Sequence, residues 1–315
     1  METKVSINIL NYNTFEKSKK CIESCLKQKG IIYRIILIDN NSTDNSFQKL
    51  KDIFGTKIDY YQTGDNLGYA GGNNIGIRYC KERGYEYSLI LNSDTTLVGN
   101  RLLQKMVKTL QQNKDCAVVA PQIYNVSNNG LILNENDSLY LKLLRMLKII
   151  PENHKISKNL ITISEAHGSA LLVDNEHFIN VGGFPEHFFM YGEESYFAKK
   201  VIWNNYLIIY LRDSDNYVLH HHDKSEKIDH WRLYLMGRNR YLEMAENKSH
   251  APLKWPILFS IFKAKVMFET IHNSDLWWYL LGIKRAKKLA KKKANVGSYI
   301  QDALEIKNTE NWPLS

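Results

Sequence analysis

The chain has 315 residues, 44% of them hydrophobic and 24% charged, with a formal net charge of +9 at pH 7. A chain this long buries a sizeable core in one large domain or one and a half, without disulfide or metal staples. No window approaches ~18 uninterrupted apolar residues and METKVSINIL has no long apolar stretch behind a basic cluster, so neither a spanning helix nor a secretory signal is expected.

Residues 5–11, VSINILN, read as a strand that turns at Tyr12-Asn13. Residues 15–28 have helical spacing and stop at Gly30. Cys21 and Cys25 sit four apart on that helix with no His or Cys near them. With Cys80 and Cys116 they are expected as reduced core thiols of a cytosolic protein. Strand 32–38 closes on DNNSTDNS, strand 58–62 leads into GDNLGYAGGNNIG, a helix covers 73–83, and strand 86–91 ends on Asn92-Ser93-Asp94. Helix 100–112 and strand 116–120 continue the alternation, which implies βαβ units and a mainly parallel sheet. Residues 125–164 read as a variable loop or insertion. HGSALLVD returns to strand, GGFPEHFFMYGEE is an irregular loop, and helix 194–204 precedes strands 206–211 and 215–220. From about residue 226 the pattern is helical. The expected division is a catalytic domain, 1–245, and a helical, basic and aromatic C-terminal region, 246–315.

Ligands of parallel α/β sheets bind beyond the carboxyl ends of the strands. Those ends carry Asn11-Tyr12-Asn13, Asp39-Asn40-Asn41-Ser42, Asn66-Leu67-Gly68 and Asn92-Ser93-Asp94. One such end is an ordinary polar loop; four together favour a shared polar ligand. Asp39 suits a ribose hydroxyl or a base N–H, and the glycines of NLGYAGGNN allow close backbone approach. Neither GxxxxGK[ST] nor GxGxxG is present. A carboxylate at Asp94 with an amide two residues earlier suits a hard divalent cation that bridges diphosphate oxygens and offsets the charge of a departing nucleoside diphosphate.

The pieces ILNYN (9–13), IDNNSTDNS (38–46), DNLGYAGGNNIG (65–76), LNSDTTL (91–97), GGFPEHFFMYGEE (182–194) and GRNRYL (237–242) together resemble the inverting glycosyltransferases of family 2, in particular their rhamnosyltransferase-like branch, over residues 5–242. That resemblance implies an α/β GT-A fold, a dTDP-L-rhamnose or UDP-hexose donor, and Mg²⁺ or Mn²⁺. It implies a metal ligand at Asp94 and a donor contact at Asn92, with Ser93 between them. Asn11, Tyr12, Asn13, Asp39 and Asn41 fall on the base and ribose side, and Asn66, Gly68, Gly72 and Asn73 on a loop beside the donor. The carboxylate base of the family falls on Glu194, with Glu193 as its understudy. Glu stands here where the family usually has Asp, one methylene longer.

In YVLHHHDKS the resemblance implies a further metal ligand among three adjacent histidines that are otherwise a chance run or surface loop; spacing to Ser225 favours His220, with His222 next, and strand alternation puts those two on one face and His221 on the other. His167 lines the acceptor side or serves the fold. Arg238 matches an Arg-Asn pair near the site or forms an ion pair within the fold. The implied acceptor is a cell-surface polysaccharide or lipid-linked glycan.

The basic and aromatic stretch 252–295 admits two readings: a packed helical appendage or homodimer contact, or a peripheral contact with an anionic membrane surface at the inner face of the cell membrane. A non-catalytic carbohydrate- or nucleic-acid-binding protein on the same fold is the rival. No nucleic-acid partner is expected, because the lysine run lacks interleaved aromatics and no nucleic-acid motif appears.

Overall fold

A computed structural model describes residues 3–127, 130–133, 145–146, 151–221, 230–246 and 273–308. Two compact units form, Met1–Phe184 with Phe197–Asp223, and Pro185–Tyr196 with Lys224–Ser315. This division departs from the expected boundary at residue 245. The loop 185–196 belongs with the C-terminal helices, because their side chains hold its carbonyls.

In the first unit, β1 (Val5–Asn11), α1 (Phe15–Cys25), β2 (Tyr33–Asp39), α2 (Ser46–Phe54), β3 (Asp59–Gln62), α3 (Gly68–Glu82) and β4 (Tyr87–Asn92) alternate as the sequence implies. β5 (Thr95–Val98) and α4 (Leu102–Gln112) follow, then β6 (Cys116–Pro121), β7 (Ile123–Ser127), β8 (Gly130–Leu133), β9 (Leu160–Thr162), β10 (Ala170–Asp174) and α5 (Asn175–Asn180). α6 (Glu193–Trp203), β11 (Leu207–Leu211) and β12 (Tyr217–His220) complete it. The first turn of α6 falls in the second unit.

The main sheet has the order β3-β2-β1-β4-β10-β6-β11-β9. It is parallel among β1 to β4 and between β6 and β11, while β10 runs against both β4 and β6. Both faces are covered. Ile7, Ile9, Leu37, Leu89 and Leu91 pack on one side with Cys21 and Ile22 of α1 and Leu103 and Met106 of α4. Ile36, Ile38 and Cys80 pack on the other. Burial on both faces is why these strands read as continuous apolar runs. All four cysteines are buried free thiols. A second sheet, β5-β12-β7-β8, contains the expected strand near 215–220 as β12 and takes most of β7 and all of β8 from the stretch 125–164 expected as a variable loop. The strand β5 follows Asp94 directly.

The glycine-rich run expected as a loop is the first two turns of α3. Gly68 opens it at φ +69°, a left-handed value glycine adopts freely. At Gly72 a Cβ would stand 2.6 Å from Leu10 Cδ1. This glycine lets the helix press on the sheet.

In the second unit, α7 (His230–Glu246), α8 (Asn273–Lys291) and α9 (Val296–Asn308) are the described helices. α7 and α8 meet at two glycines. A Cβ on Gly237 would lie 2.1 Å from Tyr279 O, and one on Gly282 would lie 2.1 Å from Tyr234 O. Phe188, Tyr196, Leu242, Ala286 and Tyr299 form one core cluster here, and Phe189, Tyr234, Leu235, Ala303 and Ile306 another. Among the described residues no helix is long and apolar enough to cross a membrane. The stretch 252–272 lies outside the described residues.

Candidate active site

The ends of β1 and β2 lie side by side, Asn11 opposite Asp39. Asn11 is fully buried, and its Nδ2 is 2.8 Å from Asp39 Oδ1 and 2.9 Å from the hydroxyls of Ser42 and Ser46. Its Oδ1 accepts from Thr14 (3.0 Å) and Ser18 (2.7 Å). Asp39, also fully buried, accepts from the Ser42 amide (3.1 Å) and hydroxyl (2.6 Å).

The Asn13 side chain brackets Thr43, accepting from its amide at 2.8 Å and donating to its hydroxyl at 3.2 Å. Asn13 and Asn41 adopt left-handed φ values of +53° and +65°, which Asn tolerates. Tyr12 is half-buried and Asn41 exposed.

Sequence reading passed over Asn40, which organises the third edge. Its Nδ2 donates to Asn66 Oδ1 and Gly68 O, both at 3.1 Å, and its Oδ1 accepts from the Leu67 amide at 3.1 Å. Asn73 is buried. Its Nδ2 donates to Tyr69 O at 3.0 Å, while Oδ1 has no hydrogen-bond partner among the described residues.

The fourth edge differs in chemistry. Asn92 ends β4, its amide donating to Ser169 O at 3.0 Å, and the Thr14 hydroxyl lies 3.1 Å from that of Ser93. The chain turns at Asp94 into β5, and β5 pairs antiparallel with β12, His220 opposite Thr95. That pairing carries His220 to Asp94, with Nε2 3.4 Å from Oδ1. The His220 side chain is 4% exposed and that of Asp94 25%.

β12 also pairs with β7, His220 opposite Asn125, and His220 Nδ1 is 3.1 Å from Asn125 Oδ1. The carbonyl oxygen of Asn125 only accepts, so Nδ1 donates to it. Nε2, the other ring nitrogen, faces the Asp94 carboxylate. Asn125 was missed because it lies in the segment read as variable loop. Only the register of β7 with β12 brings it 95 positions along the chain to His220.

The ring of His167 sits edge-on to that of His220, centroids 5.1 Å apart. Its Nδ1 accepts the Ser169 amide at 3.2 Å, which leaves the proton on Nε2. The ring of His221 points elsewhere, Nε2 3.0 Å from Thr96 Oγ1, and burial pushes its imidazole below the ordinary range. His222 lies outside the described residues. Among those residues no three His, Cys, Asp or Glu side chains converge as a metal-binding group.

In the second unit, Glu193 and Glu194 open α6. Glu193 is 5% exposed, and its Oε2 has no hydrogen-bond partner among the described residues. Burial pushes its carboxyl well above the ordinary glutamate range, and the charge of Glu194 pushes it further. Glu194 is half-buried. Tyr196 is tied to Glu246 Oε2 at 2.8 Å, and the His187 ring lies 2.8 Å from Oε1 of the same carboxylate.

Arg238 is fully buried, and its guanidinium contacts all lie within this unit. They run to Asp302, to the Asn239 side chain, and to the carbonyls of Tyr299, His187 and Phe188. The ion pair within the fold, one of its two expected roles, is therefore present.

Residues 6–182 match the sequence profile of Glycosyl transferase family 2, which is more than half of the chain. The protein belongs to this family. It is a glycosyltransferase. Among curated relatives, the low-salt glycan biosynthesis hexosyltransferase Agl10 of Haloferax volcanii is 30% identical, over 76% of this chain and 74% of that protein. The dTDP-rhamnosyl transferase RfbF of Shigella flexneri is 26% identical, over 87% and 88%. The structure of S. aureus TarS 1-349 in complex with UDP-GlcNAc superposes with a TM-score of 0.57 at 15% identity, covering 89% of this chain and 79% of that one. The fold is GT-A.

Proposed function

We propose that this glycosyltransferase moves a sugar, with inversion, from a nucleoside-diphosphate donor to a hydroxyl of a polysaccharide or lipid-linked glycan during its biosynthesis. The donor is dTDP-L-rhamnose or a UDP-hexose, in keeping with the relatives named above. The observation that carries the reading is the Asp94–His220 contact, with the far ring nitrogen of the imidazole held by Asn125.

At 3.4 Å the pair is longer than an ordinary charged hydrogen bond. Two ligands about 2.1 Å from one cation, at right angles, stand about 3 Å apart. A carboxylate, an imidazole nitrogen and an outer amide on the remote ring nitrogen suit Mg²⁺ or Mn²⁺. Asp94 and His220 would hold such an ion, whose charge would favour a bound diphosphate. The ion would supply electrostatic stabilisation of the leaving diphosphate.

Asn92 and Ser93 flank the donor. The Asn11–Asp39 network fixes the strand ends on which base and ribose rest, with Tyr12, Asn13, Asn41, Asn66, Gly68, Gly72 and Asn73 around them. His167, edge-on to His220, is read as lining the acceptor side. Glu194 takes the proton of the attacking hydroxyl. The neighbouring Glu193, whose carboxyl favours the protonated form, keeps a second negative charge from that spot.

The exposed residues of α8 combine Trp277 and Leu280 with Lys284, Lys287, Lys288 and Lys291, a composition suited to an anionic bilayer that presents a lipid-linked acceptor. Cosedimentation with phosphatidylglycerol vesicles, falling at high salt, is the expected sign; equal recovery with neutral vesicles would count against it.

A screen of nucleotide sugars with Mn²⁺, reading released nucleoside diphosphate, tests the catalytic reading. One donor should be turned over in Mn²⁺ and not in EDTA. Turnover indifferent to EDTA, or release from none of the donors, would contradict it.

A further inference from the structure

The segment that leads into Glu193 and Glu194 follows a backbone path that its own residues disfavour. Phe189 and Tyr191 have φ of +65° and +71°, ahead of Gly192 at +91°, a value only the glycine adopts freely. A bulky L residue in that region costs roughly 1–3 kcal/mol and stays there only where its surroundings over-determine it. Here two adjacent side chains on α7 supply the surroundings.

Asn239, 2% exposed, places Nδ2 at 3.0 Å from Phe188 O, 2.8 Å from Met190 O and 2.9 Å from Tyr191 O. Arg238 adds contacts at 2.8 Å to Phe188 O and 3.3 Å to His187 O. A charged guanidinium buried this deeply needs a counter-charge. Asp302 of α9 provides it at 3.1 Å, and the same carboxylate accepts from Tyr234 at 2.6 Å and lies 3.3 Å from Arg285 Nε. Contacts therefore run from Asp302 through Arg238 and, beside it, Asn239 to four loop carbonyls, those of His187, Phe188, Met190 and Tyr191. The last of these belongs to a residue two positions before Glu193.

We propose that Asn239 and Arg238, set in turn by Asp302, are positioning residues for the Glu193–Glu194 pair. Rotation of the Phe188–Gly192 backbone to ordinary φ values would swing the first turn of α6, and a carboxylate misplaced by about 1 Å can cost 10²-fold in rate. The α8–α9 region is on this view part of the catalytic apparatus. The inference rests on Glu194 as the base.

The test uses Asn239→Asp, which keeps the side-chain size but turns a donor that serves three carbonyls into an acceptor that repels them. Donor hydrolysis, with water as acceptor, is followed on UDP-glucose or dTDP-L-rhamnose, whichever the Mn²⁺ screen shows to be turned over. Wild type, Asn239→Asp, Glu194→Ala and the double variant are compared, with UDP affinity by calorimetry and thermal melting measured alongside. Turnover by Asn239→Asp should fall about 100-fold. UDP affinity should stay within about twofold, and the double variant should be no slower than Glu194→Ala alone, because the clamp acts only through that carboxylate.

A folded Asn239→Asp protein at wild-type rate overturns the proposal, and so does a double variant that loses activity additively. Wild-type turnover by Glu194→Ala would instead remove the base assignment on which the proposal rests. Should Asn239→Asp fail to fold, Asp302→Asn, isosteric and one contact further away, replaces it with the same signature at about a tenfold loss.

Discussion

Two strand edges of the first unit carry the same residue types and use them differently. At the ends of β1 and β2, Asn11 and Asp39 are buried and meet amide or hydroxyl partners at 2.6–3.1 Å. At the end of β4, Asp94 stands 3.4 Å from an imidazole nitrogen whose ring a third residue, Asn125, holds from the other side. A polar residue at a strand end is thus scaffold where its hydrogen bonds close within the protein. Where a longer gap remains, as between Asp94 and His220, it is the place proposed above for a further ligand.

Substitutions on the two edges should therefore separate activity from stability. Asp94→Ala, the largest expected effect, should lower turnover about 10³-fold or more and abolish the Mn²⁺ dependence of donor affinity, with little change in melting. Asn11→Ala leaves buried partners at Asp39 and Ser42 without their donor and should cost about 3 kcal/mol in urea unfolding. An Asn11→Ala protein as stable as wild type would break the contrast. Asn125→Ala sharpens it: loss of the amide that orients His220 should weaken Mn²⁺ about 10–100-fold, measured by metal titration of the folded protein.

The smallest effect belongs to Glu193. Its folded carboxyl titrates above its unfolded one, so the folded state holds a proton that the unfolded state has released. The stability this contributes is complete below the ordinary glutamate range and is lost as pH rises through the raised folded value. Glu193→Gln should melt like wild type near pH 4 and about 2–4 °C higher at pH 8. Equal differences at both pH values would contradict the shift.

The strands and the polar ends of β1, β2 and β4 were legible because apolar runs and their terminating residues are local features, whereas Glu193 and Glu194 were singled out only through the resemblance to the family. The partners that organise the site were not. Asn125 reaches His220 only through the pairing of β7 with β12, and Asn239 reaches Phe188 across 51 positions. Asn40 stood beside Asn41, and no local pattern distinguishes the buried amide from the exposed one. The glycines of α3 signalled close approach, and at Gly72 the approaching group is Leu10. The family-wide resemblance to residue 242 likewise did not show that α8 and α9 pack with the loop that carries the glutamates.

The central claim is that Asp94 and His220 hold a cation for the donor diphosphate. Electron paramagnetic resonance of Mn²⁺ titrated into the protein with UDP tests it most directly. Wild type should bind one Mn²⁺ per chain in a UDP-dependent manner and Asp94→Ala should bind none. Equal Mn²⁺ binding by both proteins, or UDP bound as tightly in EDTA as in Mn²⁺, would contradict the account.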